Sequence, residues 1–294
     1  MSVWSGSRLA RAVAWSRTIL LLGLLVAAAR PAAAQQRPLL TEDPEPIGAG
    51  RVMIEGGFEV ADSQKYPASG LEGTLFRVPS LGVSVGISSI AEVQFDGDLF
   101  DVLSIDKRNP APLSDLVTAQ GTQTHDNGDL VIGTKVRLLA EGVGHPALAL
   151  RLATKLPSAS NESGLGTDTM DFYGSLLIGK TVQSLRIVAN GGFGIMPDPV
   201  VGNRQNDVIT YGLSLARALT NASEIVGEVN GRVSTRDSGP FPGTETRGQV
   251  AFGARYTSGS GRVDGKVFLG LMDVDPRIGF SVGFTYVFNA FTLP

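Results

Sequence analysis

Twelve runs of alternating apolar and polar residues follow one another along this chain, at 51–62, 71–87, 91–105, 128–139, 146–156, 169–180, 184–196, 207–218, 223–234, 246–257, 261–271 and 277–289. Successive side chains of a β-strand point to opposite faces, so each run reads as a strand with one apolar and one polar face. The last run is the plainest. Ile278, Phe280, Val282, Phe284, Tyr286 and Phe288 share one face, and Gly279, Ser281, Gly283 and Thr285 share the other. In the fourth, Leu130, Ile132, Val136 and Leu138 oppose Asp129, Lys135 and Arg137. In the fifth, Leu148, Leu150 and Leu152 oppose Arg151 and Lys155. In the ninth, Ile225, Val229 and Val233 oppose Glu224, Glu228, Asn230 and Arg232, and in the tenth Val250, Phe252 and Tyr256 oppose Gln249 and Arg255.

A soluble β-sandwich turns such apolar faces inward, and a transmembrane barrel turns them out to lipid. Most runs have the length of a membrane strand, ~9–11 residues plus its ends. Phe172, Tyr211, Tyr256, Tyr286 and Phe288 stand near run ends, where a barrel carries its aromatic girdles. Glycine makes up 37 of 294 residues and is scattered through the runs, where it lets a strand bend. The expected fold is therefore all-β, a transmembrane antiparallel up-and-down β-barrel of about 12 strands over residues 51–294. A secreted or periplasmic all-β protein is the alternative. No later segment approaches the ~18 consecutive apolar residues of a helical span.

The connections set a direction. After even-numbered runs they are short, as in TVQ, TNAS and TSG; after odd-numbered runs most are longer. Short turns belong to the periplasmic side of such barrels and long loops to the outside. An even strand count then leaves both termini periplasmic. The longest connection, 106–127, carries Lys107, Arg108, Pro110 and His125 and is expected to be mobile outside the barrel, the other option being a constriction folded inward. In the second run the apolar parity slips at Pro79, which has no N–H for the ladder, so a bulge is expected there.

The first 34 residues read as a secretory signal: Arg8, Arg11 and Arg17, then TILLLGLLVAAA at 18–29, then Ala32, Ala33 and Ala34 as the cleavage site. The chain has 25 basic and 28 acidic residues, and four of the basic ones lie in the signal. The mature chain then has 21 against 28, a net charge of −7, which argues against nucleic acid as a partner. Without cysteine there is neither a lipid anchor nor a disulfide. Residues 35–50 are Pro-rich, acidic and aperiodic, and are expected as a disordered periplasmic lead-in, with a small plug inside the barrel as the alternative. The expected location is the outer membrane, with its lipids and the barrel-assembly machinery as partners.

The opening RPLLTEDPEPIGAGRVMIEGGFE and the segment LALRLATKLPSASNESGLGTDTMDFYGSLLIGK resemble an outer-membrane family described as transporters of the MetA pathway of phenol degradation. The resemblance covers most of the mature chain and rests on structural motifs: an acidic T-E-D-P opening, and a strand ending K-L-P before a Gly/Ser loop. It implies a barrel and uptake of small solutes, aromatic ones among them. It brings no catalytic residues. Barrel chains commonly end on an aromatic residue, whereas this one ends FNAFTLP, so Phe288 or Phe291 would serve as the assembly signal.

Catalytic signatures are thin. His125 and His145 fall in connections on opposite sides of the membrane, so they share neither a metal nor a triad. An outer-membrane hydrolase would need a Ser–His pair on the wall. Asp273 and Asp275 in DVDP, with Asp168 and Asp171, lack the ligand spacing of a calcium site. No catalytic, cofactor-binding or metal-binding residue is assigned, and no cofactor is expected. What remains is a set of inward charges, the candidate lumen lining: Glu55, Glu59, Glu92, Asp96, Asp98, Lys135, Arg137, Arg151, Lys155, Glu228, Arg232 and Arg255. Acid on the first and third strands faces base on the fourth and fifth, a transverse field that would orient dipolar solutes. The expected function is passive passage of small molecules. A sealed structural or surface-interaction barrel is the alternative, and a hydrolase the third.

Overall fold

The structure is a computed structural model that describes residues 37–236 and 239–292; the signal segment 1–34 lies outside them. Its strands are β1 Arg51–Tyr66, β2 Leu71–Gly86, β3 Ala91–Asp98, β4 Asp101–Arg108, β5 Gln123–Asp126, β6 Leu130–Leu139, β7 Ala147–Leu156, β8 Asp171–Val182, β9 Leu185–Pro197, β10 Gln205–Ala218, β11 Ser223–Ser234, β12 Arg247–Ser258, β13 Gly261–Gly270 and β14 Ile278–Asn289. β3 and β4 are two halves of one strand, as are β5 and β6, so fourteen segments make twelve staves. Each stave pairs antiparallel with its neighbours in sequence. β1 pairs with both β2 and β14, and the sheet closes. Closure removes the unpaired edge that a bilayer cannot tolerate.

The alternation read from sequence points as expected. On β14, Phe280, Val282, Phe284 and Tyr286 are exposed on the outer face, while Ser281, Thr285 and Val287 are buried inside. Several glycines on the outer face are covered by aromatic side chains of nearby strands. Phe284 lies over Gly56, Phe193 over Gly174, Phe252 over Gly227, and the Tyr211 hydroxyl over Gly231 and Gly248, whereas Gly191 is left bare. At the covered positions a neighbouring side chain fills the belt where the backbone has none. This is an outer-membrane type of β-barrel.

Pro79 produces the expected bulge. Phe58 of β1 stands against two residues, Val78 and Pro79, between the Gly57↔Ser80 and Glu59↔Arg77 pairs. The disturbance spreads to the next staves. Beyond Asp96↔Val131 the β3–β6 ladder stops, and β4–β5 resumes it at Asp101↔Asp126; the Gly128 N–H to the Asp98 carbonyl, 2.7 Å, bridges the interval.

Three expectations fail. The first connection is a tight turn over 67–70, because β1 continues to Tyr66 through a register shift between Ala61 and Gln64. The connection 106–127 is ordered: part of it is β4 and β5, Ser114–Leu116 forms a 3₁₀ turn, and its backbone is tied down. Leu113 N–H donates to the Ala68 carbonyl (2.9 Å) and Thr118 N–H to the Glu162 carbonyl (2.9 Å). Its Val117, with Leu165 of the 157–170 loop, packs on an inward apolar cluster of Ala61, Leu71, Leu75, Leu103, Ala251 and Phe268. Burial of that apolar surface is what draws the two loops across the mouth. The third failure concerns residues 37–50. They are not a lead-in outside the barrel but run inside it, with Leu39, Thr41, Glu42 and Ile47 buried.

Candidate functional site: the lumen and its inner segment

A strand pattern cannot place residues 37–50, which have no period; interior charge does. The segment leaves β1 at Gly50, whose N–H donates to the Gly86 carbonyl and whose carbonyl accepts from Ala290 and Phe291. It then enters from the short-turn end. Glu45 meets Arg137 at 2.5 Å, and Asp43 is held by the Arg186 guanidinium through two hydrogen bonds of 2.8 and 2.9 Å. Ile47 N–H donates to Glu92 at 2.6 Å. At the centre, Lys135 reaches Glu42 at 2.9 Å, Glu92 at 3.0 Å and the Asp43 carbonyl at 2.9 Å, all of it shielded from water. Gln94 donates to both Glu42 and Glu92 and accepts from Arg151. A buried lysine needs such complete pairing, since an unpaired ion in that setting costs several kcal/mol.

On the far wall the segment is held by hydrogen bonds. Glu228 accepts the Leu40 and Thr41 N–H groups and the Thr41 hydroxyl at 2.9–3.0 Å. Asn190 bonds both the N–H and the carbonyl of Glu42. The chain then turns to β1, where Arg37 N–H donates to Glu55 at 3.2 Å. Glu55 also accepts the Thr285 hydroxyl.

Above the segment, toward the long loops, lies a cavity of about 700 Å³ bordered by residues from nearly every stave. That is the size of a pocket for one small organic molecule. Its floor is Pro38 and Leu40, and Leu40 keeps 64% of its surface exposed inside the barrel. One wall carries Glu59 and Asp98, drawn onto Arg77 at 2.5 and 3.4 Å, with Asp101 at 3.7 Å behind. On the other side of β14 the wall carries Asn230, Arg232, Arg247 and Lys266, the last paired with Glu228 at 3.6 Å. The cavity also touches Leu81, Gly97 and Val131, where the β3–β6 ladder stops.

Of the candidate residues from sequence, Glu55, Glu59, Asp96, Asp98, Arg151 and Arg232 border this cavity. Glu92, Lys135, Arg137 and Glu228 are engaged by the inner segment. Lys155 is paired with Asp129 and Asp171 at 2.9 and 3.2 Å, and Arg255 with Glu224 at 3.5 Å. Of the basic wall expected on the fourth and fifth strands, Lys135, Arg137 and Lys155 are thus taken up by acids and Arg151 remains at the cavity, whose other cations are Arg37 of the inner segment, Arg77 of β2, and Arg232, Arg247 and Lys266 of β11, β12 and β13. Sequence reading missed Arg37, Leu40, Glu42, Arg77, Asn190 and Arg247. Arg77 hides because it lies next to the parity slip. The inner segment could have been found by charge: three acids in TEDPE match the surplus base Lys135, Arg137 and Arg186.

His125 lies in β5 and not in a connection, with its side chain exposed; among the described residues nothing hydrogen-bonds its ring. Among the described residues the His145 ring hydrogen-bonds only with the Pro146 carbonyl, at 3.3 Å. Among the described residues no group of three or more His, Asp or Glu could hold a metal ion. Asp275 instead caps its own loop, accepting the Gly248 and Met272 N–H groups.

No family model matches the chain, and neither does any curated protein. Solved structures do match in fold. An outer membrane channel from Pseudomonas putida F1 superposes with a TM-score of 0.61 at 13% identity, covering 84% of this chain and 98% of that one. The NanC porin gives 0.50 at 8% identity, covering 80% and 98%. The CymD monoaromatic hydrocarbon channel, at 0.46 and 10% identity over 88% and 95%, is too loose a likeness to carry argument. At these identities the likeness concerns the barrel itself, and the chain is similar in fold to outer-membrane channel barrels.

Proposed function

We propose that this protein is a passive outer-membrane channel for small molecules, exported by its N-terminal signal and folded into the membrane by the barrel-assembly machinery. The observation that carries the reading is the 700 Å³ cavity, charged with both signs and floored by an apolar ridge, inside a closed barrel with a lipid-facing belt. A barrel meant only as a wall has no need of such space. The staves that border it supply a charged lining suited to dipolar solutes, and Leu40 offers them an apolar contact. Aromatic compounds, which the family resemblance implies as solutes, fit both features. The test is refolded mature chain in planar bilayers, with liposome swelling in parallel for uncharged solutes. Discrete conductance steps, or swelling faster than in protein-free vesicles, are the expected results. A folded, heat-modifiable barrel that gives neither would overturn the reading.

One observation favours a sealed barrel as the second reading. The inner segment crosses the lumen on buried ion pairs, and the loops carrying Val117 and Leu165 cover the other end. The intact chain separates the two: a channel passes ions or solute with residues 37–47 seated, and a sealed barrel does so only after they are removed.

A further inference from the structure

We propose that Arg232, Arg247 and Asn230 form a carboxylate-binding subsite on the β11–β12 wall of the cavity, taking small monocarboxylates with an apolar body. The inference rests on the channel reading and names the solute class that the cavity prefers.

Arg232 and Arg247 are direct cross-strand partners. Like charges placed opposite each other in a sheet repel, so the arrangement costs stability in the empty barrel. Asp171 lies close enough to attract Arg232, and Asp275 and Glu245 to attract Arg247, but none of the three borders the cavity. Arg232 donates to the backbone carbonyls of Glu245 (3.0 Å) and Gly243 (2.5 Å), and among the described residues it has no ion-pair partner. Arg247 donates to the Lys65 carbonyl at 3.3 Å, and the carboxylate paired with it, Asp275, is at 3.9 Å and already accepts two backbone N–H groups. Carbonyls aim a guanidinium without cancelling its charge. Asp275 and Glu245 lie behind the two arginines and do not border the cavity, whereas the arginines do. Asn230, two residues along the same inward face, also borders it, and its Nδ2 is buried with no hydrogen-bond partner. A buried amide N–H left unsatisfied marks a place where an acceptor belongs.

An incoming carboxylate supplies what these groups lack. It accepts paired N–H bonds from a guanidinium, relieves the repulsion between the two, and gives Asn230 an acceptor. The remainder of the solute meets Pro38 and Leu40 on the cavity floor. The acidic wall of Glu59 and Asp98 faces the other way and disfavours a second carboxylate.

The experiment is calorimetric titration of the refolded mature chain in detergent with benzoate, benzyl alcohol and benzylamine. Benzoate is expected to bind at least tenfold more tightly than the other two. R232Q/R247Q should weaken benzoate about tenfold or more and leave benzyl alcohol unchanged. Asn230→Leu, which keeps both guanidiniums, should weaken benzoate several-fold and serves if the double variant fails to fold. Equal affinity for benzoate and benzyl alcohol would overturn the proposal, as would unaltered benzoate binding in a folded variant. Flux decides the channel separately: benzoate binding without flux keeps the subsite and removes the channel, and flux without a benzoate preference does the reverse.

Discussion

The wall of β2, β3 and β6 and the wall of β9 to β11 grip the same inner segment by different means. The first is irregular, bulged at Pro79 and interrupted between β3 and β6, and it holds the segment with buried charge: Lys135 between Glu42 and Glu92. The second has an unbroken ladder and holds residues 40–42 by hydrogen bonds, mainly to backbone, through Glu228 and Asn190, with Arg186 of β9 adding an ion pair to Asp43 nearer the short turns. At the level of residues 40–42 the contrast is one of specificity. Backbone hydrogen bonds would accept almost any peptide there, whereas the Lys135 socket demands an acid at position 42. At that level the irregular wall selects the segment, and the regular wall supports it.

The largest effect should come from Lys135→Met. It takes the nearest cation from the buried Glu42 and Glu92, a loss of about 3–5 kcal/mol. The chain has no cysteine, so an Ile47→Cys reporter, 1% exposed in the seated segment, should become reactive to a maleimide in this background. If the reporter stays shielded, the charged wall is not what seats the segment. Next in size is Glu228→Gln on the opposite wall, which removes a charged acceptor from three donors of the segment and the carboxylate 3.6 Å from Lys266. About 1.5–3 kcal/mol is expected for bonds to a charged group, read from the urea midpoint of the gel-mobility shift. An effect as large as that of Lys135→Met would erase the proposed division between the walls. Glu45→Gln should cost under about 1 kcal/mol, because its pair with Arg137 is partly open to water.

The smallest effect is a pH dependence at the short-turn end. Glu141 accepts the Thr181 N–H and pairs with Arg186, which also holds Asp43. Partial burial pushes its carboxyl up, but the Thr181 N–H, Arg186 and Lys180 outweigh that and hold it below the usual glutamate value. A depressed carboxyl stabilises the fold above the unfolded value of about 4.5, and that contribution fades as pH falls through the lower folded value. Labelling at Ile47→Cys, taken relative to an exposed cysteine at the same pH, should therefore rise modestly below pH 4.5, and Glu141→Gln should flatten that rise. A pH profile unchanged by the substitution would separate this turn from the segment.

Much of the barrel was legible in the sequence because a bilayer enforces a simple rule. An apolar outer face and a polar inner face give period two, and Pro79 showed where the period slips. The third and fourth staves were placed, but not their broken halves, since β5 is only four residues long and its polar QTHD carries no apolar alternation. The inner segment was illegible to periodicity for a physical reason. It has no sheet and no regular repeat, and its contacts are spread over several staves. Its acids gave the only clue. The cavity's cations were found in part, Arg151 and Arg232 but not Arg77 or Arg247, because sequence lists inward charges but not which of them already have partners.

Residues 37–50 are joined to the barrel at Gly50, so leaving the lumen is not dissociation. The segment stays tethered at an effective concentration on the order of millimolar, as for two sites joined by a short flexible linker. Modest contacts therefore suffice to keep it seated, and it reseats without searching solution. Any solute that shares its contacts competes with a ligand that never dilutes. Such a solute must either reach comparable local concentration or bind more tightly in proportion, which sets a threshold for displacing the segment that is written into the length of the chain.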